Sequence, residues 1–319
     1  MGVVSLHKEI ERLKKSIGKV LLGKEKTAEL VMIGLLCRGH VLLEDVPGTG
    51  KTMLAKSMAK SISGKFKRIQ FTPDVLPSDV TGIQFFNPKE QSFELRPGPV
   101  MTNILLADEI NRATPRTQSS LLEVMEEQQV TIEGETLSIE PPFIVLATQN
   151  PIESQGTFPL PEAQMDRFLM QIRVGYPTRD QEKEMMHRYR NQEPINALEE
   201  IFSLEEIINL QKQVKEVEIS DVVEDYLLSI VRGTRKSELT DTGVSPRGTL
   251  AFMRAVQAKA FVQGRNYVIP EDVKEMAPIV LAHRLVLSLE GEMSKTKPQV
   301  LEMLLDEVEV PVESGAVQQ

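Results

Sequence analysis

The sequence predicts an α/β fold: a parallel five-stranded sheet covered by helices on both faces, followed by a small all-helical domain. Three observations predict it. Short apolar runs with almost no polar alternation, NILLADE (103–109) and FIVLATQN (143–150), need cover on both faces, as strands of a parallel sheet do. Segments of helical periodicity separate such runs, which is the rhythm of strands joined by crossover helices. After Pro177 the chain reads almost wholly as helix to about Leu305, broken at Pro194, Gly243, Pro246, Gly264 and Pro270.

In chain order, residues 5–36 place apolar side chains at helical spacing, and Gly23 punctuates two helices. HVLLE (40–44) is the first strand; it runs into a glycine-rich turn, and TMLAKSMAKSI then reads as a helix. FKRIQF (66–71) is the second strand. TGIQFFNPKEQSFELRPG (81–98) alternates around an Asn-Pro turn, which predicts a hairpin. NILLADE is the third strand, and PRTQSSLLEVMEEQ (115–128) is a helix with Pro115 in its first turn. QVTIEGETLSIE (129–140) alternates around Glu133-Gly134, a stronger hairpin signal. FIVLATQN and FLMQIRV (168–174) complete the five strands. The expected organisation is an α/β domain over 1–176, a linker and first helix over 177–196, a helical domain over 197–305 and a frayed tail over 306–319.

Composition narrows the function. With 319 residues, 41% hydrophobic and 26% charged, the chain has the make-up of a folded protein. A formal net charge of −9 and few aromatics (11 Phe, 4 Tyr, no Trp) count against nucleic acid as the partner. Cys37 is the single cysteine, which excludes an intrachain disulfide and a cysteine-rich zinc site. His7, His40, His187 and His283 are scattered, and none pairs with another at metal-ligand spacing. No run approaches the roughly 20 apolar residues of a membrane span. The charged start MGVVSLHKEIERLKK lacks a signal peptide's apolar core, so the expected home is the cytoplasm.

The chemistry-bearing stretch is LLEDVPGTGKT (42–52). The phosphate-loop pattern G-x-x-x-x-G-K-[ST] asks for glycine where Asp45 stands, so the strict match fails by one residue, and Asp45 must point away from a bound polyanion. The context is nonetheless that of such a loop, a strand before and a helix after. Gly48 and Gly50 permit close backbone approach, Lys51 would reach the β- and γ-phosphates, and the Thr52 hydroxyl would ligate Mg²⁺. The nucleotide-binding stretch is accordingly Asp45, Val46, Pro47, Gly48, Thr49, Gly50, Lys51, Thr52 and Met53. The bland alternative is an ordinary strand–turn–helix connection.

Two companions are then required. Asp108 and Glu109, ending an apolar strand, supply one carboxylate for the magnesium shell and one to polarise an attacking water; alone they would read as solvated carboxylates. Asn150, at the tip of FIVLATQN, would orient that water; alone it would read as a turn former before Pro151.

EDVPGTGKT, LLADEINRATPRTQSSLLEVMEEQQVTI, LATQNP, LPEAQMDRF and GVSPRGTLAFMRA, in that order, resemble the MoxR family of AAA+ ATPases from about Val20 to Arg284. The resemblance implies a P-loop AAA+ αβα sandwich with a helical lid, ATP and Mg²⁺ as cofactors, and a homo-oligomeric ring, taken as a hexamer. The hairpins at 81–98 and 129–140 resemble the clade's helix-2 and pre-sensor inserts. Lys51 and Thr52 match the phosphate-loop pair, Asp108 and Glu109 the Walker B pair, and Asn150 sensor 1. Arg167 matches an arginine finger offered to a neighbouring subunit and Arg247 the lid's sensor 2. Val20, Leu22 and Gly23 match the segment near adenine. The family's phosphate loop varies at its first position, which accommodates Asp45.

By the same resemblance, hydrolysis would drive chaperone-like remodelling of a partner, often a von Willebrand factor A-type protein. Arg167 could instead pair with Asp166 or Glu162, Arg247 could cap a helix, and Arg112 competes for the subunit-interface role. A nucleotide-gated scaffold with little turnover and a nucleic-acid motor are the alternative functions.

Overall fold

The structure is a computed structural model; it describes residues 3–44, 48–149, 156–190 and 193–311, with side chains from Leu6 onward. The expectations for Asp45, Val46, Pro47 and Asn150, and for the tail beyond Pro311, lie outside the described residues. The chain divides into two compact units, Lys8–Lys212 and Gln213–Gln319 with Met1–His7.

α1 (Val3–Val20), which belongs to the first unit from Lys8 onward, and α2 (Glu25–Leu36) are joined through Gly23, whose φ of +73° suits glycine. Leu6, Ile10, Leu13 and Ile17 of α1 are fully buried, one stripe at helical spacing. β1 (Val41–Glu44), α3 (Lys51–Ser61), β2 (Phe66–Gln70) and a short α4 (Pro77–Thr81) follow. The first predicted hairpin forms from β3 (Gly82–Asn87) and β4 (Ser92–Pro97), with Phe86 opposite Phe93 and their rings 5.4 Å apart edge to face.

β5 (Ile104–Asp108) leads to α5 (Pro115–Glu127), whose N-cap Thr114 accepts the Thr117 N–H. The second hairpin, β6 (Gln129–Ile132) with β7 (Glu135–Ser138), turns through Glu133 and Gly134 at φ +48° and +89°. Positive φ at both central residues suits the twist of the flanking strands. β8 (Ile144–Gln149), α6 (Glu162–Met165) and β9 (Met170–Arg173) complete the sheet.

The five strands lie in the order β2-β5-β8-β1-β9, all parallel, as the apolar runs required. Val41, Leu42 and Leu43 of β1 and Ile104, Leu105, Leu106 and Ala107 of β5 are fully buried. Burial on both faces removes the polar alternation. Parallel order also brings the C-terminal ends of β1, β5 and β8 to one edge, where open α/β sheets bind ligands.

Beyond the sheet, α7 (Arg179–Tyr189), capped by Thr178, and α8 (Leu204–Gln213) continue the chain. The N–H groups of Ile201 and Phe202 donate to the Ser61 carbonyl (2.8 and 3.1 Å), and Gln211 Nε2 donates to the Leu35 carbonyl (2.7 Å). These bonds tie the segment after Pro177 to the first unit as far as Lys212.

The second unit holds α9 (Asp221–Lys236), β10 (Thr240–Thr242), α10 (Pro246–Val262), α11 (Pro270–Leu281), β11 (Val286–Leu287), α12 (Leu289–Ser294) and α13 (Lys297–Glu307). It is helical apart from the antiparallel pair β10–β11. Strands of three and two residues are too short to print an alternation on the sequence, which is why this pair escapes a periodicity reading. A bidentate pair, Arg265 to Asp272 at 2.6 and 2.7 Å, pins the start of α11.

Candidate functional site

At the C-terminal edge of the sheet a cleft of about 380 Å³ is lined by Gly48, Gly50, Lys51, Thr52, Met53, Lys56, Arg68, Gln70, Asp108, Glu109, Thr148 and Gln149. The structure therefore brings together seven residues singled out from sequence: Gly48, Gly50, Lys51, Thr52, Met53, Asp108 and Glu109. Thr49, between the two glycines, is buried.

The turn is built for an anion. Gly48 and Gly50 sit at φ +85° and +91°, in the left-handed region open to glycine at little cost. A Cβ on Gly50 would lie 2.6 Å from Leu21 Cδ2, a side-chain tip that would have to give way. That contact also places the Val20–Gly23 segment against the loop. Lys51 and Thr52 open α3, whose N-cap makes no side-chain hydrogen bond and whose first turn carries no acid. A helix N-terminus of this kind, with the positive end of its dipole at the cleft, suits an anion.

The acidic pair is held from three sides. Thr148 Oγ1 donates to Asp108 Oδ1 (2.6 Å) and accepts the Glu109 N–H (2.8 Å), so one buried hydroxyl on β8 orients both residues ending β5. Arg68 donates to Asp108 Oδ2 through Nε (3.1 Å) and Nη2 (2.6 Å). Gln70 Nε2 donates to Glu109 Oε2 (2.8 Å), which also meets Arg112 Nε at 3.0 Å. Glu109 itself has φ +58° and ψ +49°, a left-handed conformation that costs a non-glycine residue about 1–2 kcal/mol. The Thr148 bond helps to hold it there.

Arg68, Gln70, Lys56 and Thr148 were not singled out from sequence. Arg68 and Gln70 alternate along β2, and Gln70 is in register with Asp108. Their signal is readable only once β2 is known to neighbour β5.

Arg167 does not line the cleft; its Nη1 meets Glu126 Oε2 of α5 at 3.4 Å, neither of the partners anticipated. Arg247 belongs to the second unit, exposed in the first turn of α10, where Ser245 Oγ caps by accepting the Gly248 N–H (3.0 Å). Of the Val20, Leu22 and Gly23 segment, Val20 is buried, its carbonyl accepting the Tyr189 hydroxyl (3.1 Å).

Comparison with known proteins agrees with this geometry. Residues 40–170 match the ATPase family associated with various cellular activities (AAA), and residues 232–303 match the AAA lid domain. The chain is 40% identical to Chaperone MoxR1 of Mycobacterium tuberculosis (strain ATCC 25618 / H37Rv), over all of this chain and 87% of that protein. It is 48% identical to the uncharacterized protein YeaC of Bacillus subtilis (strain 168), over 98% of each. A crystal structure of a candidate ATPase from Cytophaga hutchinsonii ATCC 33406 superposes with a TM-score of 0.91 at 38% identity, covering 97% of each chain. Along nearly its whole length the chain is thus similar to a MoxR chaperone and to a solved ATPase structure, and the protein belongs to the MoxR family of AAA+ ATPases.

Proposed function

We propose that the cleft between the β1–α3 turn and the end of β5 binds ATP with Mg²⁺, and that hydrolysis there drives chaperone-like remodelling of a partner protein by an oligomeric ring. One observation carries the reading: Lys51 and Thr52, at the N-terminus of α3, share a single cleft with Asp108 and Glu109. Backbone N–H groups of the loop and Lys51 hold the phosphates. Glu109 accepts the proton of the attacking water, and Asn150, outside the described residues, orients it.

Thr52 and Asp108 offer hard oxygen donors suited to magnesium, which keeps its remaining positions for water and phosphate. Among the described residues no group of three or more His, Cys, Asp or Glu is placed to hold a metal ion. When bound, the cation neutralises phosphate charge. Arg247 and a neighbour's Arg167 are the proposed lid and finger cations, with Val20, Leu22 and Gly23 beside adenine. A von Willebrand factor A-type protein is the proposed partner; that choice is supported by the family resemblance. No helix among the described residues is long and apolar enough to cross a membrane.

The test is calorimetry with magnesium nucleotide alongside phosphate release. Lys51→Ala is expected to lose nucleotide binding. Glu109→Gln is expected to bind but turn over about 10²–10⁴-fold more slowly, the usual contribution of a general base. Equal background rates in wild type and both variants would leave a nucleotide-gated scaffold as the better reading.

A further inference from the structure

A second cleft, of about 540 Å³, lies between β2 and the base of the β3–β4 hairpin, and Lys67, Arg68, Arg96 and Asp79 supply its charged side chains. Three cations thus face one carboxylate on a chain whose formal net charge is −9. Asp79 Oδ2 is already engaged by the Leu76 N–H (2.9 Å). The Arg96 side chain makes no hydrogen bond or ion pair among the described residues, and there Lys67 Nζ reaches only the Gly98 carbonyl, at 3.5 Å. The wall is also partly apolar. Ile83 is opposite Arg96 in the hairpin register, and Ile83 and Phe85, on the same face, are 43% and 40% exposed.

Arg68 lines both clefts. Its Nε and Nη2 hold Asp108 Oδ2, while its Nη1 has no partner among the described residues. One guanidinium therefore stands between the carboxylate of the first cleft and the cationic wall of the second.

We propose that this second cleft binds a carboxylate side chain of an acidic protein segment through Lys67, Arg96 and Arg68, and that Arg68 relays its occupancy to Asp108. Charge complementarity selects the carboxylate, and exposed Ile83 and Phe85 favour a peptide over a free oxyanion. A carboxylate drawn to Nη1 competes for the guanidinium and loosens its hold on Asp108 Oδ2, the oxygen that would face a cation. The relay rests on the reading of Asp108 given above; the cleft itself does not.

The test separates the two. Binding of a fluorescent oligoglutamate peptide carrying one phenylalanine is measured by anisotropy without nucleotide. The double variant Lys67→Gln/Arg96→Gln should bind about tenfold more weakly, the order expected from two exposed charge pairs. Equal affinity in wild type and double variant, equal binding of an oligolysine peptide, or full displacement by equimolar inorganic phosphate or single-stranded DNA would overturn the assignment. For the relay, peptide and magnesium-ADP should raise each other's affinity by the same factor, as linkage demands. In Arg68→Gln the peptide, short of one of its three cations, should bind more weakly and that factor should fall to one; an unchanged factor would overturn the relay. Failure of magnesium-ADP to bind wild type would instead remove the nucleotide reading and leave the peptide measurement standing.

Discussion

His40 is fully enclosed just before β1, and its ring atoms are committed. Nδ1 accepts the Val145 N–H (2.9 Å), which leaves Nε2 to donate to the Met125 carbonyl (2.9 Å). Burial pushes its pKa down from 6.5 to about 4, against a smaller upward pull from the Met125 carbonyl. The folded protein thus holds a neutral imidazole where the unfolded chain would take up a proton between pH 4 and 6.5. This contribution to stability is complete above pH 6.5 and is lost as pH falls toward 4, a total of about 3 kcal/mol. Urea unfolding across that window should show stability rising with pH, and an NMR titration should find His40 unprotonated down to about pH 4. A folded-state midpoint near 6.5 would refute it. The same scale holds Glu109, whose left-handed backbone no sequence pattern announced, because the Thr148 hydroxyl that supports it comes from a strand 39 residues away.

At the scale of elements, caps and turns were the most readable features, since their chemistry is confined to a few neighbouring residues. Pro115 at the head of α5 and Glu133-Gly134 in the second hairpin each act within four residues of themselves. Ser245 caps the turn of α10 that carries Arg247. Ser245→Ala should lower stability by about 1 kcal/mol in denaturant unfolding, whereas Ser245→Asp should keep most of it. Equal losses in both would mean that the cap contributes little. What the element scale hid was β10–β11, too short for periodicity, and the tie of residues 177–212 to the first unit. That tie depends on the Ser61 and Leu35 carbonyls, far away in the chain.

At the scale of the whole molecule, the prediction concerns assembly. Arg167 is held by Glu126 of its own chain, an interaction worth at most about 1 kcal/mol at a half-exposed site and so easily exchanged. If Arg167 serves a neighbour's ATP, Arg167→Ala should reduce turnover by about 10³-fold or more. Mixing it with Glu109→Gln subunits should then restore activity at interfaces that combine an intact Glu109 with an intact Arg167. Two variants that co-assemble without any recovery would end the assignment in trans.

The sequence by itself determined the five strands, the two hairpins and the helices α1, α2, α3 and α5, and named Lys51, Thr52, Asp108 and Glu109. All of these are local: periodicity, turn chemistry and glycine spacing are written within a dozen residues. Only the tertiary structure decided that β2 borders β5, and with it that Arg68 and Gln70 meet the two carboxylates and that a second cationic cleft opens behind them. Strand order is set by how buried faces pack across the whole sheet, and a chain read residue by residue carries no mark of which distant strand will lie beside it.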